Sequence, residues 1–225
     1  MSSIQEITRS VSLGTCFNRG LEVYKANVVT LVIATLLVGL IACVSLGICA
    51  APMLCGLYAM VLAMLRTGAK PEVGDVFKKF DKFGPAFITS LALGVISFIG
   101  GFVLGLVPVL GWIAGVVWSA AMGAIAAWAL LLIIDQDASI GEAITMPLKQ
   151  IGNDKFWSVI LTAFVANLIA MAGALACGIG VLFTAPLATC IVVAAYEEAH
   201  GRSPQASATP PLPPSSPTPD ASFGA

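Results

Sequence analysis

Charge is scarce in this 225-residue chain: only 10% of its residues are Asp, Glu, Lys or Arg, whereas 58% are hydrophobic. Because an average soluble domain carries about 25% charged residues, this composition excludes an ordinary soluble protein. The 11 basic and 12 acidic residues give a net charge of −1. No basic excess is present to neutralise phosphates, so no nucleic-acid partner is expected.

Three long segments lack charge altogether: residues 26–65, 83–134 and 156–196, which contain 40, 52 and 41 residues. A 40-residue helix reaches about 60 Å, twice the roughly 30 Å hydrocarbon thickness of a bilayer, so each segment is predicted to fold back once. The predicted fold is therefore all-α, a polytopic membrane bundle of six transmembrane helices in three hairpins. The predicted spans are about 26–48, 51–66, 85–107, 110–134, 156–178 and 182–198.

Few groups are available for chemistry. His200 is the only histidine, which excludes a zinc site built from several histidines. The predicted spans contain no charged residue except at their ends, where Arg66, Glu197 and Glu198 lie, so they lack the usual indicator of a substrate or ion path in a membrane protein. No catalytic residue, cofactor or metal is therefore predicted, and the chain is not expected to be an enzyme.

The charges that do occur lie on one side of the predicted spans. Every Lys and Arg falls in a terminus or in the connections 66–82 and 135–155, and the three tight turns hold none. Because Lys and Arg are enriched on the cytoplasmic side of membrane proteins, both termini and both long connections are predicted to face the cytoplasm. The expected location is the inner membrane of a bacterium.

Amphipathic segments flank the first hairpin. Apolar side chains recur at close to helical spacing within residues 1–25, which predicts an interfacial helix on the inner leaflet. Residues 73–83 carry an apolar stripe on one face and lysines on the rest, and these lysines can contact anionic lipid headgroups. This pattern predicts a membrane-lying connector or, alternatively, a partner-docking helix. In the later connection, Ser139-Ile-Gly-Glu142 matches the capping box of a helix that Pro147 is expected to end or kink.

The composition changes after Gly201. Residues 202–225 hold seven of the 13 prolines together with Ser, Thr and Ala, which predicts a disordered cytoplasmic tail. A polyproline II ligand at residues 210–214 is possible in such a tail, although many proline-rich tails bind nothing. The predicted organisation is thus an interfacial helix at 1–25, a six-span domain at 26–201 and the tail at 202–225.

Small residues recur every four positions in the third, fourth and fifth spans. Such ridges let helix backbones approach closely, which predicts tight packing within the bundle or a homo-oligomeric face, with a glycine-lined permeation path as the alternative. Asn167 is the costliest polar residue to bury, so a specific interhelical contact is expected there. The predicted packing residues are Ser97, Gly101, Gly105, Gly111, Gly115, Ser119, Gly123 and Asn167.

A weak internal repeat relates the first and third hairpins. Ala51-Pro52 and Ala185-Pro186 each follow a glycine-containing turn. Both prolines are predicted to break the helix and to start the second span of their hairpin, since proline is tolerated in a first helical turn. Two-helix repeats of this kind occur in transporters and in inert bundles.

Four short motifs carry a resemblance to a known family. They are Pro52 with Gly56-Leu57, Asp75-Val-Phe77 with Phe80, Ile134-Asp135 with Ser139-Ile-Gly-Glu-Ala143, and Ala185-Pro186 through Tyr196. Over about residues 10–201 the chain resembles six-span bacterial integral-membrane proteins of unknown function, related to the membrane domain that accompanies some glycerophosphodiester phosphodiesterases. These 225 residues hold no phosphodiesterase domain, so the resemblance implies the fold and no catalysis.

Two weaker constellations concern acids and thiols. A divalent cation could be gathered near the inner surface by six residues, although a solvated acidic rim is the simpler interpretation. These six are Asp135, Asp137, Glu142, Glu197, Glu198 and His200. Cys49 and Cys177 lie near turns on the same side and could pair in an oxidising periplasm, whereas their simpler interpretation is helix packing.

Two functions follow from these features. The first is a non-enzymatic structural, assembly or accessory component, with the lipid bilayer and a homo-oligomer or another membrane protein as its partners. The second is a transporter or channel for small solutes or lipids, which predicts a polar, water-accessible cavity near Asn167 and Ser119. A membrane-embedded enzyme is the least supported class.

Overall fold

A computed structural model of the protein describes residues 11–78, 80–107, 110–149, 154–175 and 179–200. These residues form helices and no strands, which confirms the all-α prediction. The helices are α1 (Leu13–Ala26), α2 (Val28–Val44), α3 (Ala50–Thr67), α4 (Phe83–Gly105), α5 (Leu110–Gln136), α6 (Ile140–Lys149), α7 (Asp154–Leu175) and α8 (Ile179–Ala199). Two short 3-10 segments, Val73–Phe77 and Phe80–Lys82, connect α3 to α4.

Each predicted span coincides with one long helix to within a few residues, namely α2, α3, α4, α5, α7 and α8. Within the described residues, α3, α4, α5 and α8 are each long and apolar enough to cross a membrane. Helices α1 and α2 meet at a bend of 92° and pass the same test only as a pair. The composition of these helices therefore supports an integral membrane protein with four or five candidate spans.

The second helix of each hairpin lies at the centre of the bundle. Of the apolar stretch of α3, 67% is buried, as against 11% for α4. Residues 127–134 of α5 and 188–197 of α8 are buried without interruption. A helix that is apolar and buried on all sides belongs to a core, so these segments and α3 form the part of the molecule called here the enclosed core.

The outer helices present a contrasting surface. Large apolar side chains are exposed along α2 and α4, and this surface is called here the apolar belt. Its most exposed members are Val29, Leu40, Val44, Phe98 and Phe102. Soluble monomers rarely expose apolar patches of more than a few hundred Å², so the belt is typical of a surface that contacts lipid.

The two predicted helix-breaking prolines have different outcomes. Pro52 lies in the first turn of α3, as expected, because its missing N–H has no helical partner there. The break predicted at Pro186 is wrong, since α8 begins at Ile179 and contains Pro186 in its interior. Neighbouring helices in a membrane bundle hold an interrupted helix together, and Thr184 Oγ1 in the preceding turn donates to the Gly180 carbonyl at 3.0 Å.

The capping box at α6 is confirmed. Ser139 Oγ donates to Glu142 Oε2 at 2.6 Å, and the Ser139 N–H donates to the same oxygen at 3.0 Å. The helix does not end at Pro147, which lies buried within it, but continues to Lys149. A proline so close to the C-terminus removes a single backbone hydrogen bond, so the last residues remain helical.

The two amphipathic segments dock on the bundle more closely than predicted. Gly20 of α1 lies against Ile191 of α8, where an added Cβ would come within 2.9 Å of the Ile191 backbone. Val73–Phe77 and Phe80–Lys82 form two 3-10 segments instead of one amphipathic helix, and Val76 is fully buried against Gly56 of α3. The absence of a side chain at Gly20 and Gly56 makes both close approaches possible, which an apolar stripe does not reveal.

Three predictions fall outside the described residues. These are the N-terminal end of the interfacial helix (residues 1–10), the tail at 202–225 and the pairing of Cys177 with Cys49.

Candidate functional site

The last turns of α3, α5 and α8 meet in an ion cluster, in which a partly exposed arginine pairs with two buried carboxylates. Arg66 Nη1 donates to Asp135 Oδ1 at 2.6 Å, while Arg66 Nε and Nη2 donate to Glu197 Oε1 at 3.0 and 2.6 Å. The Glu197 side chain is fully buried and that of Asp135 is 5% exposed. One guanidinium therefore joins the ends of three helices that form the enclosed core.

The position of the cluster explains why the arginine matters. Helix C-termini concentrate partial negative charge on unpaired carbonyl groups, which favours Arg66 and disfavours Asp135 and Glu197 at these ends. Burying a carboxylate costs several kcal/mol unless a partner compensates it. Among the described residues no donor reaches Glu197 Oε2, and the buried carboxylate depends on the two hydrogen bonds that Arg66 donates to Oε1.

Polar and aromatic side chains extend the cluster. The Tyr196 hydroxyl donates to Asp135 Oδ2 at 3.0 Å, and Gln136 Nε2 donates to the Tyr196 hydroxyl at 3.0 Å. His200 Nδ1 lies 2.8 Å from the Tyr196 carbonyl oxygen, and its Nε2 lies 3.2 Å from Gln136 Nε2, which fits a neutral ring that donates from Nδ1. The Trp128 ring packs edge-on against the Tyr196 ring, with 4.9 Å between the ring centroids, and stacks on the His200 ring, with 5.7 Å between the centroids. We refer to these residues together as the Arg66 cluster.

The acidic residues proposed for a divalent cation do not converge. Asp137 pairs with Lys82, Glu142 caps α6, and Asp135 and Glu197 both bind Arg66. Within the described part of the chain, no three His, Cys, Asp or Glu side chains lie close enough to hold a metal ion. The arrangement stabilises helix ends and has no vacant set of ligands.

Glu198, the next residue of α8, contacts α1 and the residue before it and takes no part in the Arg66 cluster. It accepts a hydrogen bond from Cys16 Sγ at 2.9 Å and another from the Ser12 N–H at 3.2 Å. Burial raises the pKa of the Cys16 thiol, and the neighbouring Glu198 carboxylate raises it further. The thiol is therefore protonated and acts as a donor that fixes α1 on α8.

The predicted packing residues lie in two places. Gly123 and Asn167 are brought together, since a Cβ at Gly123 would lie 3.2 Å from Asn167 Oδ1. They line a central cavity of about 150 Å³ between α3, α5, α7 and α8, together with Tyr58 and Thr189. The Asn167 amide donates to the Ala163 carbonyl of its own helix at 3.2 Å.

The remaining predicted packing residues line a second space, between α4 and α5. Gly101, Gly105, Gly111, Gly115 and Ser119 surround a groove of about 210 Å³. A Cβ added at Gly101, Gly105 or Gly115 would meet no heavy atom of the described structure within 4 Å. The two helices approach closely at the predicted Gly111, where an added Cβ would overlap the Leu104 backbone carbonyl, and at Gly100, which faces the Trp118 indole. Trp118 Nε1 donates to the Ser97 carbonyl at 3.1 Å. Ser97 thus takes part through its backbone.

The Arg66 cluster was not predicted, because its members are separated by 69 and 131 residues along the chain. A signal was nevertheless present in the sequence. The three charge-free segments end immediately before Arg66, Asp135 and Glu197. Because those three ends are predicted to lie on one side of the membrane, one cation and two anions at the same depth can pair.

Comparison with protein-family models, with curated proteins and with solved structures found no match.

Proposed function

We propose that the protein is a six-span integral protein of the bacterial inner membrane that serves as a non-enzymatic structural, assembly or accessory component. In this arrangement α2, α3, α4, α5, α7 and α8 cross the bilayer in three hairpins, and both termini face the cytoplasm. The location of Lys and Arg beside the same helix ends supports that orientation. The resemblance to six-span bacterial membrane proteins agrees with this proposal.

The dimensions of the apolar belt support six spans. Helix α2 has 17 residues and reaches about 26 Å, which is close to the roughly 30 Å of a hydrocarbon core. Its exposed side chains run along its whole length, from Val29 at 70% to Val44 at 80% exposure. Helix α7 has 22 residues and reaches about 33 Å, so it is also long enough to cross.

The observation that carries the proposed role is the closure of the enclosed core. A permeation path along the bundle axis would run between α3, α5 and α8. Residues 127–134 and 188–197 are buried without interruption, the central cavity beside them holds only about 150 Å³, and the Arg66 cluster ties the three helix ends together. A bundle with so little space at its centre supports a structural or assembly role better than a conducting one.

Transport assays test the role directly. The purified full-length protein is reconstituted into vesicles of phosphatidylethanolamine and phosphatidylglycerol, and ion flux, solute release and lipid scrambling are compared with those of protein-free vesicles. We expect rates equal to the protein-free control in all three assays. Transport by the protein alone would overturn the structural role and leave the six-span architecture to be tested separately.

Reporter fusions test the orientation. Alkaline phosphatase is active only in the periplasm and green fluorescent protein folds in the cytoplasm. We expect phosphatase activity for fusions in the turns near residues 47 and 108 and fluorescence for fusions near residues 70 and 201. The opposite pattern would reverse the proposed topology.

A small transporter or lipid translocator is the second candidate, and the central cavity is the observation that favours it. The central cavity has a volume of about 150 Å³, enough for a few water molecules at roughly 30 Å³ each. Polar groups reach it from Tyr58, Asn167 and Thr189. This candidate predicts that a cysteine at position 167 reacts with a water-soluble thiol reagent. Position 119 lies in the separate groove between α4 and α5 and serves as the comparison. Lack of reaction at position 167 would remove the transporter.

A further inference from the structure

A third space in the bundle is larger and almost wholly apolar. It has a volume of about 530 Å³ and lies between α3 and α4, with α5 as its floor. Ser90 is the one residue with a polar side chain among those that line it. Ordered water in a cavity needs two to four polar partners, so this lining does not suit water. The volume falls within the range of about 300–1,000 Å³ that is usual for ligand pockets.

The shape of the space limits what can occupy it. It follows α4 from Phe87 to Phe98, which is about 16 Å along the helix axis. The empty space spread over that length leaves a channel about 6–9 Å wide, which is narrower than the 10–12 Å diameter of an α-helix with its side chains. A partner helix is too wide to enter, whereas a single extended hydrocarbon chain fits.

The position of the space identifies the source of such a chain. Its mouth is formed by Leu91, Val95 and Phe98, which are 55%, 51% and 75% exposed and belong to the apolar belt. Its floor is formed by Ala126 and by Leu130, which is only 4% exposed. The space therefore opens sideways into the region that the bilayer occupies and runs parallel to α4, as the acyl chains of the surrounding lipid do.

We propose that this slot between α3 and α4 binds one acyl chain of a membrane phospholipid. The inference rests on the proposed membrane location and adds a ligand site to it. Small residues on both sides, Gly47, Ala50 and Gly94 among them, give the slot its width. Each methylene group removed from water or loosely packed lipid gains contacts with these walls, so a bound chain fills a space that would otherwise stay empty.

A photoactivatable lipid tests the proposal. The full-length protein is reconstituted into vesicles of phosphatidylethanolamine and phosphatidylglycerol that contain phosphatidylglycerol with a diazirine near the middle of one acyl chain. After irradiation, labelled positions are mapped by mass spectrometry. We expect labelling of Leu130 on the floor of the slot in addition to labelling of Leu40, which is 61% exposed on the belt. Lipid that merely surrounds the protein reaches Leu40 and not Leu130.

A matched pair of variants sharpens the test. Gly94→Phe places a ring in the slot and should abolish labelling of Leu130 while leaving Leu40 labelled. Gly101→Phe changes a glycine of the same helix that lines the separate groove, and should leave both labels in place. An added Cβ at either glycine meets no described heavy atom within 4 Å, so both variants can fold.

The outcomes separate the slot from the membrane location. Labelling of Leu40 without Leu130 in the wild-type protein overturns the slot and leaves the membrane protein intact. Labelling of neither residue overturns the membrane location itself. Leu130 labelling that persists in Gly94→Phe also overturns the slot. Crosslinks between two protein copies on this face would overturn it as well, because they would show that a second copy covers the slot.

Discussion

The enclosed core and the apolar belt are built from similarly apolar helices, yet they are held together differently. In the core, residues 188–197 of α8 are buried without interruption and end in the buried Glu197. In the belt, α4 has comparable length and apolarity but leaves side chains such as Phe98 exposed. Lipid can replace protein contacts around the belt but cannot pair a buried carboxylate, so specific polar contacts are concentrated in the core.

The largest expected effect is at Arg66. Arg66→Met leaves Asp135 and Glu197 buried without their shared cation, and removal of one partner of a buried ion pair costs about 3–5 kcal/mol. Because the Arg66 side chain is 31% exposed and therefore partly solvated, we expect a loss at the lower end, about 3 kcal/mol. Reversible unfolding by sodium dodecyl sulfate in mixed micelles measures the loss. The stability of Arg66→Lys should lie between that of the wild-type protein and that of Arg66→Met, because a single ammonium group cannot reproduce the guanidinium fork that reaches both carboxylates.

An exposed ion pair supplies the control for Arg66. Lys82 pairs with Asp137, whose side chain is 73% exposed, so Lys82→Met should cost at most about 1 kcal/mol. Equal losses for Arg66→Met and Lys82→Met would contradict the distinction between the buried cluster and the solvated rim.

The second prediction compares one substitution in the two regions. Gly56→Ala in the core drives a Cβ into the backbone of Val76, and relieving such overpacking costs about 1–3 kcal/mol. Gly39→Ala in α2 meets no described heavy atom and should stabilise the helix by about 0.5–1 kcal/mol. Unfolding of the two variants in the same micelles measures both changes. If both variants change the free energy of unfolding in the same direction, the core at Gly56 is no less tolerant of an added methyl group than α2 is at Gly39.

The difference between the regions also explains which features could be predicted from the sequence. Helix positions follow from charge-free segments and turn residues, so the bounds of α3, α4 and α5 agree with prediction to within two residues. The contacts at Gly56 and Gly100 depend on which helix lies opposite, and a repeat of small residues within one helix does not contain that information. The sequence shows that each charge-free segment is followed by a charged residue, namely Arg66, Asp135 and Glu197. That these three residues pair could not be predicted without knowing how α3, α5 and α8 are arranged.

The third prediction concerns the Tyr196 hydroxyl. Tyr196→Phe removes the donor to Asp135 Oδ2 and the acceptor for Gln136 while keeping the ring that packs on Trp128. A hydrogen bond to a charged group such as the Asp135 carboxylate contributes about 1.5–3 kcal/mol, so the variant should lose about that much. Unfolding in mixed micelles reports the loss, and the double variant with Arg66→Met tests coupling. Additive losses would mean that Tyr196 and Arg66 do not act through the same carboxylate.

The smallest expected effect is at the cap of α6, where the molecule is exposed to water. Ser139→Ala removes the hydroxyl that binds Glu142, and loss of such a cap typically costs about 1 kcal/mol.

The hydrogen bonds from Ser139 hold the pKa of Glu142 below its usual value. The stabilisation they provide is therefore present above the ordinary glutamate pKa, and it is lost as the pH falls through the lowered value. Helicity and unfolding measured between neutral and acidic pH should show this loss in the wild-type protein and a smaller loss in Ser139→Ala, which keeps the Ser139 backbone N–H as a donor. Thr145→Ala, later in the same helix and likewise exposed, controls for loss of a hydroxyl that is not at the cap. If its pH profile also flattens, the acid sensitivity does not arise at the cap.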